Sequence, residues 1–392
     1  MMIREKLEKL YDIGSSKRVF QSEWRSEGVP FYRAREIAKL AIDDYVDNEL
    51  FIDEELYDSY VEKYGKPQPG DIMVTGVGTL GVCYIVKPDD KFYFKDGNIL
   101  WFKQKAPDRI LPEYLVKLFD SNDVREFISR NSSGTTVGTF TIQTAKKLEI
   151  NLPSLGEQKR IIQKLAKIEN IINNRKRELV LLDDCIKARF VEMFGALNNT
   201  SYETLPLGDI CEFIKDGTHQ TPTYTEDKVR GYKFLSSKDV TSQKISWSNI
   251  KYIPESLHNE LYSKLAPRRG DILLAKNGTT GLAAIVDTDE VFDIYVSLAL
   301  LRPKVGYNSR YLWAVINSND TKMQFNANLK GIGVPNLHLG EIKKAKVIVP
   351  PLEQQEKFAV FLEQIDKSKV AIQKSLAETQ LLFDKLMQDY FG

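Results

Sequence analysis

The sequence predicts an α+β fold in which two similar globular units are joined by two long helices that pair as an antiparallel coiled coil. The first observation is an internal repeat, because Pro350 lies 197 positions after Pro153 and Gly392 lies 197 positions after Gly195. A constant offset over such a length indicates a repeated structural unit. The second observation is an apolar repeat of about 3.5 residues within each copy, which is typical of a coiled-coil seam.

The predicted seam is defined by apolar residues that step alternately by four and three positions. Polar residues such as Arg175 and Lys369 interrupt the two rows at positions that do not coincide when the copies are aligned. We therefore expect the two helices to pair with each other, each ~60 Å long at ~1.5 Å per residue. The alternative is that each long amphipathic helix lies on its own globular unit. The seam residues are Ile161, Leu165, Ile168, Ile172, Leu179, Leu182 and Ile186 in the first helix, and Phe358, Leu362, Ile365, Ile372, Leu376, Phe383 and Leu386 in the second.

The repeat divides the chain into four consecutive segments. Gly-Asp-Ile occurs at 70–72 and again at 270–272, so the globular segments also resemble each other. Helical spacing of apolar residues over Glu113–Ser129 predicts a helix there. The predicted segments are a first globular domain at 1–152, a first spacer helix at 153–195, a second globular domain at 196–349 and a second spacer helix at 350–392.

Composition limits the possible partners and the compartment. The chain has 392 residues and a formal net charge of +1, so no overall field attracts it to DNA or to a membrane. A nucleic-acid surface would have to be a local patch. Its three cysteines form no CxxC pair, which fits a reducing cytosol. Neither a signal peptide nor a membrane-spanning apolar run is apparent, and we expect a cytoplasmic protein with no membrane partner.

One glycine-rich motif matches the pattern of a dinucleotide-binding site. Gly76–Gly81 matches the GxGxxG pattern of dinucleotide-binding loops, but such a loop must open a helix, and strand-like residues follow here. The second copy has Lys276 in place of the first glycine. We therefore expect a glycine-rich hairpin turn and no cofactor. The three histidines lack metal-ligand spacing, and we identify no metal site and no catalytic residues.

Polar loops recur in both globular units and are the candidates for DNA binding. Lys and Arg neutralise phosphates, whereas Arg, Asn, Gln and Thr read base edges. For any single residue an ordinary solvated loop is the favoured interpretation, but recurrence in both units makes the set more credible than its individual members. The candidates are Ser16, Lys17, Arg18, Arg33, Arg35, Thr75 and Thr79 in the first unit, and Thr218, His219, Gln220, Thr221, Tyr224, Ser237, Lys238, Lys276, Asn277 and Thr279 in the second.

Over nearly its whole length the chain resembles the specificity subunits of type I restriction–modification systems. The resemblance is carried by the repeated globular units, by both Gly-Asp-Ile segments, by the loop Asp216–Tyr224 and by the segments 155–161 and 352–358 that open the helices. It implies that each globular unit is a target recognition domain reading half of a bipartite, asymmetric site in double-stranded DNA. The paired helices would set the spacing of the halves and dock two methyltransferase subunits. Motor–nuclease subunits would join for cleavage, and the chain itself would be non-catalytic.

Two other functions compete with this interpretation. One is an interaction scaffold, with two protein-binding modules on a coiled coil and no DNA ligand. The other is a methyltransferase or nuclease that works alone, which the lack of catalytic motifs disfavours. The near-neutral charge further predicts that the chain binds DNA weakly without partner subunits, because phosphate contacts dominate such affinities.

Overall fold

The computed structural model describes residues 3–132, 138–327, 329 and 335–392. It forms two compact units, of which the first comprises Met1–Lys176 and Lys374–Gly392 and the second comprises Arg177–Gln373. Each unit thus contains one globular region and parts of both long helices. Within the described part of the chain, no helix combines the length and the hydropathy that a membrane span requires.

The globular region of the first unit begins and ends with strands that pair with each other. Its strands are β1 (Ile3–Lys6), β2 (Tyr11–Gly14), β3 (Val29–Tyr32), β4 (Phe51–Ile52), β5 (Ile72–Thr75), β6 (Cys83–Ile85), β7 (Tyr93–Phe94), β8 (Ile99–Gln104) and β9 (Glu149–Leu152). Its helices are α1 (Leu7–Leu10), α2 (Ala34–Asp43), α3 (Glu54–Tyr64), α4 (Pro112–Phe119), α5 (Asn122–Asn131) and α6 (Ile142–Lys147), followed by the long helix α7 (Leu155–Phe194).

A four-stranded antiparallel sheet in the order β2-β8-β5-β6 forms the centre of the first unit. Strand β5 is buried along its whole length, which explains why three of its four residues are apolar. Because side chains alternate across a strand, Ile72 and Val74 join the core beneath α4 and α5, whereas Met73 joins the core beneath α2. A second sheet, β4-β3-β7, pairs β3 antiparallel with β4 and parallel with β7, and β1 pairs with β9.

The second unit repeats this order of strands, but a short 3-10 helix at Ser237–Val240 takes the place of α2. Its strands are β10 (Glu203–Pro206), β11 (Cys211–Asp216), β12 (Tyr232–Leu235), β13 (Lys251–Ile253), β14 (Ile272–Ala275), β15 (Ala283–Ile285), β16 (Phe292–Ile294), β17 (Leu298–Pro303) and β18 (Lys346–Val349). Its helices are α8 (Leu207–Ile210), α9 (Glu255–Lys264), α10 (Ser309–Ile316), α11 (Asn319–Ala327) and α12 (Leu339–Lys344), followed by the long helix α13 (Leu352–Phe391). Its sheets have the orders β11-β17-β14-β15, β13-β12-β16 and β10-β18, so the repeat extends to topology.

The prediction of a single helix over Glu113–Ser129 is wrong. The chain forms α4 and α5 instead, and the break lies at Asp120 and Ser121. The Ser121 hydroxyl oxygen accepts the Val124 N–H and caps the second helix. A short side chain that satisfies a backbone donor in this way favours a helix start over a helix interior.

The repeated Gly-Asp-Ile segment owes its aspartate to a turn that is tied to the central sheet. The buried Asp71 carboxylate accepts the Trp101 Nε1–H at 2.8 Å and the Gln104 N–H at 3.0 Å, both in β8. In the second unit, the buried Asp271 carboxylate accepts Nε–H and Nη2–H of Arg302 in β17, at 2.8 and 2.7 Å. The same acceptor thus locks the same turn onto the same strand, with different donors.

Each long helix is fixed to its globular region by a buried glutamine in its first turn. In α7, Gln158 Oε1 accepts the Leu111 N–H at 2.8 Å, and Nε2 donates to the carbonyl oxygen of Arg109 at 2.8 Å. In α13, Gln355 Oε1 accepts the Asn308 N–H at 2.9 Å. Both glutamines also donate to the carbonyl oxygen of a proline two residues before the helix, Pro153 in the first unit and Pro350 in the second. This explains why both helices open with Leu-x-x-Gln.

In the first unit, the first half of α7 packs against the end of α13. Ile161 and Leu165 lie in one apolar core with Leu386 and Phe391, and the Tyr114 ring lies 5.3 Å from that of Phe391. Since the start of one helix meets the end of the other, the pair is antiparallel. Of the predicted seam residues in this unit, Ile161, Leu165, Ile168, Ile172 and Leu386 are buried, and Leu376 and Phe383 are partly buried against them.

In the second unit, the end of α7 packs against the start of α13. The Phe190 ring lies 5.6 Å from that of Phe358, and the polar seam residue Lys369 forms an ion pair with Asp183 of α7. Both contacts again require antiparallel helices, and the predicted fold class is confirmed. Of the predicted seam residues in this unit, Phe358, Leu362 and Ile365 are buried and Leu179, Leu182, Ile186 and Ile372 are half-buried.

Candidate nucleic-acid interface

In the first unit, the residues after β2 fold back onto residues 93–98, which comprise β7 and the turn that follows it. The Ser16 hydroxyl donates to the Phe94 carbonyl oxygen at 2.5 Å, and the Lys17 backbone N–H donates to the Tyr93 hydroxyl oxygen at 3.0 Å. These bonds fix the backbone, while the side chains of Lys17 and Arg18 are exposed. The loop is therefore an ordered support for two cations.

The glycine-rich turn between β5 and β6 meets the same segment, because the Gly76 N–H donates to the Asn98 carbonyl oxygen at 2.8 Å. Thr75 is buried; its hydroxyl donates to the Thr79 carbonyl oxygen and accepts the Val82 N–H at 3.0 Å. Thr79 itself is exposed. The turn leads directly into strand β6, so the predicted hairpin is confirmed and the glycines open no helix.

The two predicted arginines at the start of α2 are held by a buried carboxylate. Arg33 Nε and Nη2 donate to Glu36 at 3.1 and 2.8 Å, and Arg35 donates to Glu36 at 2.9 Å and to Glu49 at 3.1 Å. Burial raises the pKa of Glu36, but hydrogen bonds from Arg33 and Arg35 outweigh it and hold that pKa below its ordinary value. Much of the donor capacity of these arginines is therefore used within the protein.

In the second unit, the polar loops converge in the same way on residues 294–298. The Thr218 carbonyl oxygen accepts the Val296 N–H at 2.9 Å. Ser297 receives the other two loops, because its hydroxyl oxygen accepts the Ser237 N–H at 3.0 Å and its carbonyl oxygen accepts the Lys276 N–H at 2.8 Å. Residues far apart in the sequence are thus brought to one place in each unit.

A buried ion pair distinguishes the second unit. Lys276 is only 5% exposed and its ammonium pairs with the Asp216 carboxylate, at the position where the first unit has Gly76. His219, 75% exposed, has its Nε2 3.5 Å from the other oxygen of Asp216. Lys276 is therefore placed to hold the loop that begins at Asp216, and its ammonium is not at the surface.

The same loop ends at an exposed aromatic ring. Tyr224 packs edge-on against Phe234, with ring centroids 6.1 Å apart, and the Lys251 ammonium lies 3.9 Å from the centre of the Tyr224 ring. At that distance the cation is attracted to the ring face. Tyr224 thus presents an ordered aromatic surface next to a positive charge.

Known proteins match this chain over most of its length. The family described as the type I restriction modification DNA specificity domain matches residues 5–181 and 199–380. The chain belongs to this family. The predicted resemblance to specificity subunits is therefore confirmed.

Two relatives and one solved structure illustrate the similarity. The type I restriction enzyme MjaVIII specificity subunit of Methanocaldococcus jannaschii is 25% identical over 283 residues, 67% of this chain and 65% of the relative. A putative type I restriction enzyme specificity subunit of Haemophilus influenzae is 30% identical over 191 residues, 47% of this chain and 46% of the relative. The matched parts thus span between about half and two thirds of these relatives. The crystal structure of a type I S subunit from M. genitalium has the same fold, with a TM-score of 0.55 at 15% identity over 100% of this chain and 96% of that one.

For this member of the DNA specificity family, accessibility separates the predicted DNA-binding residues into groups. Thr75 and Lys276 are buried, with their polar atoms bonded inside the protein. The half-buried residues are Ser16, Arg33, Thr218, Ser237 and Asn277. The exposed residues are Lys17, Arg18, Arg35, Thr79, His219, Gln220, Thr221, Tyr224, Lys238 and Thr279.

Sequence reasoning missed two partners of the candidate residues. Lys251 covers the ring of Tyr224, and the exposed Tyr64 of α3 has its ring centre 5.8 Å from the Lys17 ammonium. Each lies far along the chain from its partner, so no local pattern could have paired them. Among the described residues, no group of three His, Cys, Asp or Glu side chains could hold a metal ion.

Proposed function

We propose that the chain is the DNA-reading, non-catalytic subunit of a type I restriction–modification complex. It reads a bipartite, asymmetric site in double-stranded DNA and directs two methyltransferase subunits to it, and motor–nuclease subunits join for cleavage. Membership of the DNA specificity family supports this proposal. We further propose a cytoplasmic location and retain 1–152 and 196–349 as the target recognition domains, with 153–195 and 350–392 as spacer helices.

The observation that carries the proposal is the convergence of polar loops on one short segment in each unit. The scaffold beneath the loops is the same, but the exposed side chains differ. The first unit offers the cations Lys17 and Arg18, whereas the second offers His219 and Gln220. Two unlike reading surfaces on one chain suit an asymmetric site, whereas identical surfaces of a homodimer suit a palindrome.

The exposed side chains of the second unit divide by the contacts they can make. Lys238 can neutralise a backbone phosphate, which fixes position without reading sequence. The Gln220 amide can donate to and accept from an adenine edge in the major groove. His219 and Thr221 can read single donors or acceptors there, and the Tyr224 ring can contact a thymine methyl group or a sugar.

The buried candidates take a supporting role in this proposal. Thr75 closes the turn of the first unit, and Lys276 holds Asp216 at the start of the reading loop of the second. Arg33 is similarly engaged by Glu36. These contacts hold the loops in one conformation before DNA binds. Affinity is then not reduced by the cost of ordering flexible loops on binding.

The long helices suit the roles of spacer and docking surface. Each has 40 residues and is therefore ~60 Å long, more than one ~34 Å turn of DNA. Leu181 of α7 and Leu382 of α13 are among the exposed apolar side chains of these helices. Exposed apolar groups of this kind often mark protein contacts. We propose that the methyltransferase subunits bind there.

Genome-wide mapping of methylated bases tests the proposal. The chain is expressed with its methyltransferase subunits in a host that lacks them, either unchanged or as Gln220→Ala. We expect the unchanged chain to yield one bipartite motif and the variant to lose about tenfold or more of its selectivity at one position of one half only. Asn259→Ala, an exposed amide on α9, serves as the matched control and leaves the motif unchanged.

Distinct outcomes would contradict distinct parts of this proposal. If the motif survives Gln220→Ala intact, Gln220 makes no base contact. If methylation of the host DNA does not depend on the chain at all, the DNA-reading function itself is wrong.

A further inference from the structure

An exposed turn in the second unit, residues 227–230, is held by backbone hydrogen bonds as the reading loops are, and we name it the basic turn. The Asp227 carboxylate accepts the N–H groups of Val229 and Arg230 at 3.0 and 3.1 Å. The Gly231 N–H donates to the Asp227 carbonyl oxygen at 2.9 Å and closes the turn. An aspartate that satisfies two backbone donors holds a single turn conformation.

Glycine is required where the basic turn rejoins β12. A Cβ atom at Gly231 would lie 2.5 Å from the Asp227 carbonyl oxygen and 3.0 Å from the Tyr252 side chain. On the other side of the turn, the Thr225 N–H donates to the Tyr252 carbonyl oxygen at 2.9 Å. Both ends of the turn are thus packed against β13.

The side chains that the basic turn displays are unusual for a solvated loop. Val229 is 94% exposed at the tip, between Lys228 and Arg230. Over the described ranges of the chain, neither of these two cations has a side-chain hydrogen bond or an ion pair. Two unpaired cations on either side of an exposed aliphatic group suit a ligand that is anionic on its edges and apolar between them.

The first unit lacks this feature. Its corresponding turn bridges Arg25 to Phe51 and is three residues shorter before the equivalent glycine, Gly28. Arg25 is also neutralised by Asp53 at 2.7 Å. The basic turn is therefore an addition to the shared scaffold and contributes nothing to holding the repeat together.

The basic turn is continuous with the candidate interface of the second unit. It directly follows Tyr224, the end of the polar loop that begins at Asp216, and Lys251 covers the Tyr224 ring from the strand that pairs with the turn. Lys251 thus lies beside Tyr224, and the basic turn follows directly along the chain, where Lys228 lines a cavity with Tyr232, Arg269 and Asp289. This continuity favours DNA over an acidic protein segment as the ligand.

We infer that Lys228, Val229 and Arg230 are a further DNA-reading element for the half-site of the second unit, an inference that rests on the proposed function. Lys228 and Arg230 neutralise phosphates on either side of a groove, and Val229 makes an apolar contact with a base, for which the thymine methyl group is the natural partner. Asp227 is a positioning residue, because it acts only through the backbone of the turn.

The test uses the chain assembled with its methyltransferase subunits and a duplex that carries the mapped motif. We expect the double variant Lys228→Gln, Arg230→Gln to reduce the slope of log affinity against log salt by about two, since each phosphate contact contributes about one. Its affinity for an unrelated duplex should fall in parallel. Lys264→Gln is the control, because the charge of Lys264 is already paired with Glu260, and its slope should not change.

Two more variants separate reading from positioning. Val229→Ala should lower selectivity at one thymine of the second half-site about fourfold and leave the salt slope unchanged. Asp227→Ala should weaken binding of the motif, and Asp227→Asn should restore it in part, because the amide oxygen still accepts the two N–H groups.

The outcomes distinguish this inference from the proposed function. If the unchanged assembly binds its motif and the double variant binds with the same salt slope, the basic turn does not contact DNA. If the double variant instead loses partner subunits while the DNA slope is kept, the turn binds an acidic protein surface and the inference is wrong. If the unchanged assembly fails to recognise any motif, the proposed function fails and this inference fails with it.

Discussion

Lys276 shows that a lysine in a polar loop can hold the loop in place without being available to bind DNA. A lysine in a polar loop fits a phosphate contact equally well on sequence grounds. The structure instead buries its ammonium beside Asp216, where an unpaired charge would cost several kcal/mol. That outcome could not be predicted from the sequence, because the two residues are brought together only by the pairing of β11, β17 and β14.

Glu36 is expected to make the stability of the first unit depend on pH. It is fully buried against Arg33 and Arg35, and its lowered pKa means that its charged form stabilises the first unit. This stabilisation is fully present above the ordinary pKa of 4.5 and is lost as the pH falls through the lowered value. We expect Glu36→Gln to reduce the free energy of unfolding by about 2 kcal/mol at neutral pH.

Urea denaturation at neutral and acidic pH measures this effect. The difference between Glu36→Gln and the unchanged chain should shrink below pH 4.5, because Glu36 then becomes neutral as well. Glu62→Gln, on the exposed face of α3, should change the free energy of unfolding by less than about 0.5 kcal/mol. A difference that stays constant into acid would show that Glu36 acts through shape and not through charge.

Among the elements, the long helices depend on how they begin as much as on their seam. A coiled coil fixes two helices to each other, but it does not fix either helix to a globular region. Gln158 and Gln355 supply that connection, because their buried side-chain amides form hydrogen bonds with the loops before α4 and α10. Without them the direction of each helix relative to its own sheet would depend on apolar contacts alone, which are not directional.

Replacing Gln158 by alanine should therefore destabilise the first unit by about 2 kcal/mol, because the backbone N–H of Leu111 and the carbonyl oxygen of Arg109, both half-buried residues, lose their partner. Urea denaturation of the full chain measures the loss. Gln163→Ala, at an exposed position on the same helix, should have an effect below about 0.5 kcal/mol. If the two substitutions lower the free energy of unfolding equally, Gln158 does not anchor the helix.

Elements with a strong period were predictable, and those set by local bonds or distant neighbours were not. The seam of α7 and α13 follows from apolar spacing alone, since burial of one helix face dictates it. The division of the expected helix at Ser121 depends on one hydroxyl that caps α5. The basic turn escaped prediction because Asp227 and Val229 are ordinary loop residues until their hydrogen bond is known.

On the scale of the whole molecule, charge balance argues for recognition that depends on partners. The net charge of +1 leaves no general attraction to DNA, and the exposed cations of the loops are local. We expect the isolated chain to bind duplex DNA with a dissociation constant of about 10⁻⁴ to 10⁻⁶ M near physiological salt, as for non-specific binding. Fluorescence anisotropy with a labelled duplex measures this, and tight sequence-specific binding by the chain alone would contradict it.

The bonds of Asp71 and Asp271 lie within the sheets and their flanking turns, outside the residues between β11 and β12 that carry the reading loop. Recombination between related genes could therefore exchange that stretch and leave the bonds of Asp71 and Asp271 intact. On the proposed function, the new protein would keep its fold and read a different half-site after one genetic event. Because the framework and the variable surface use different residues, a new specificity could be inherited in one step without poorly folding intermediates.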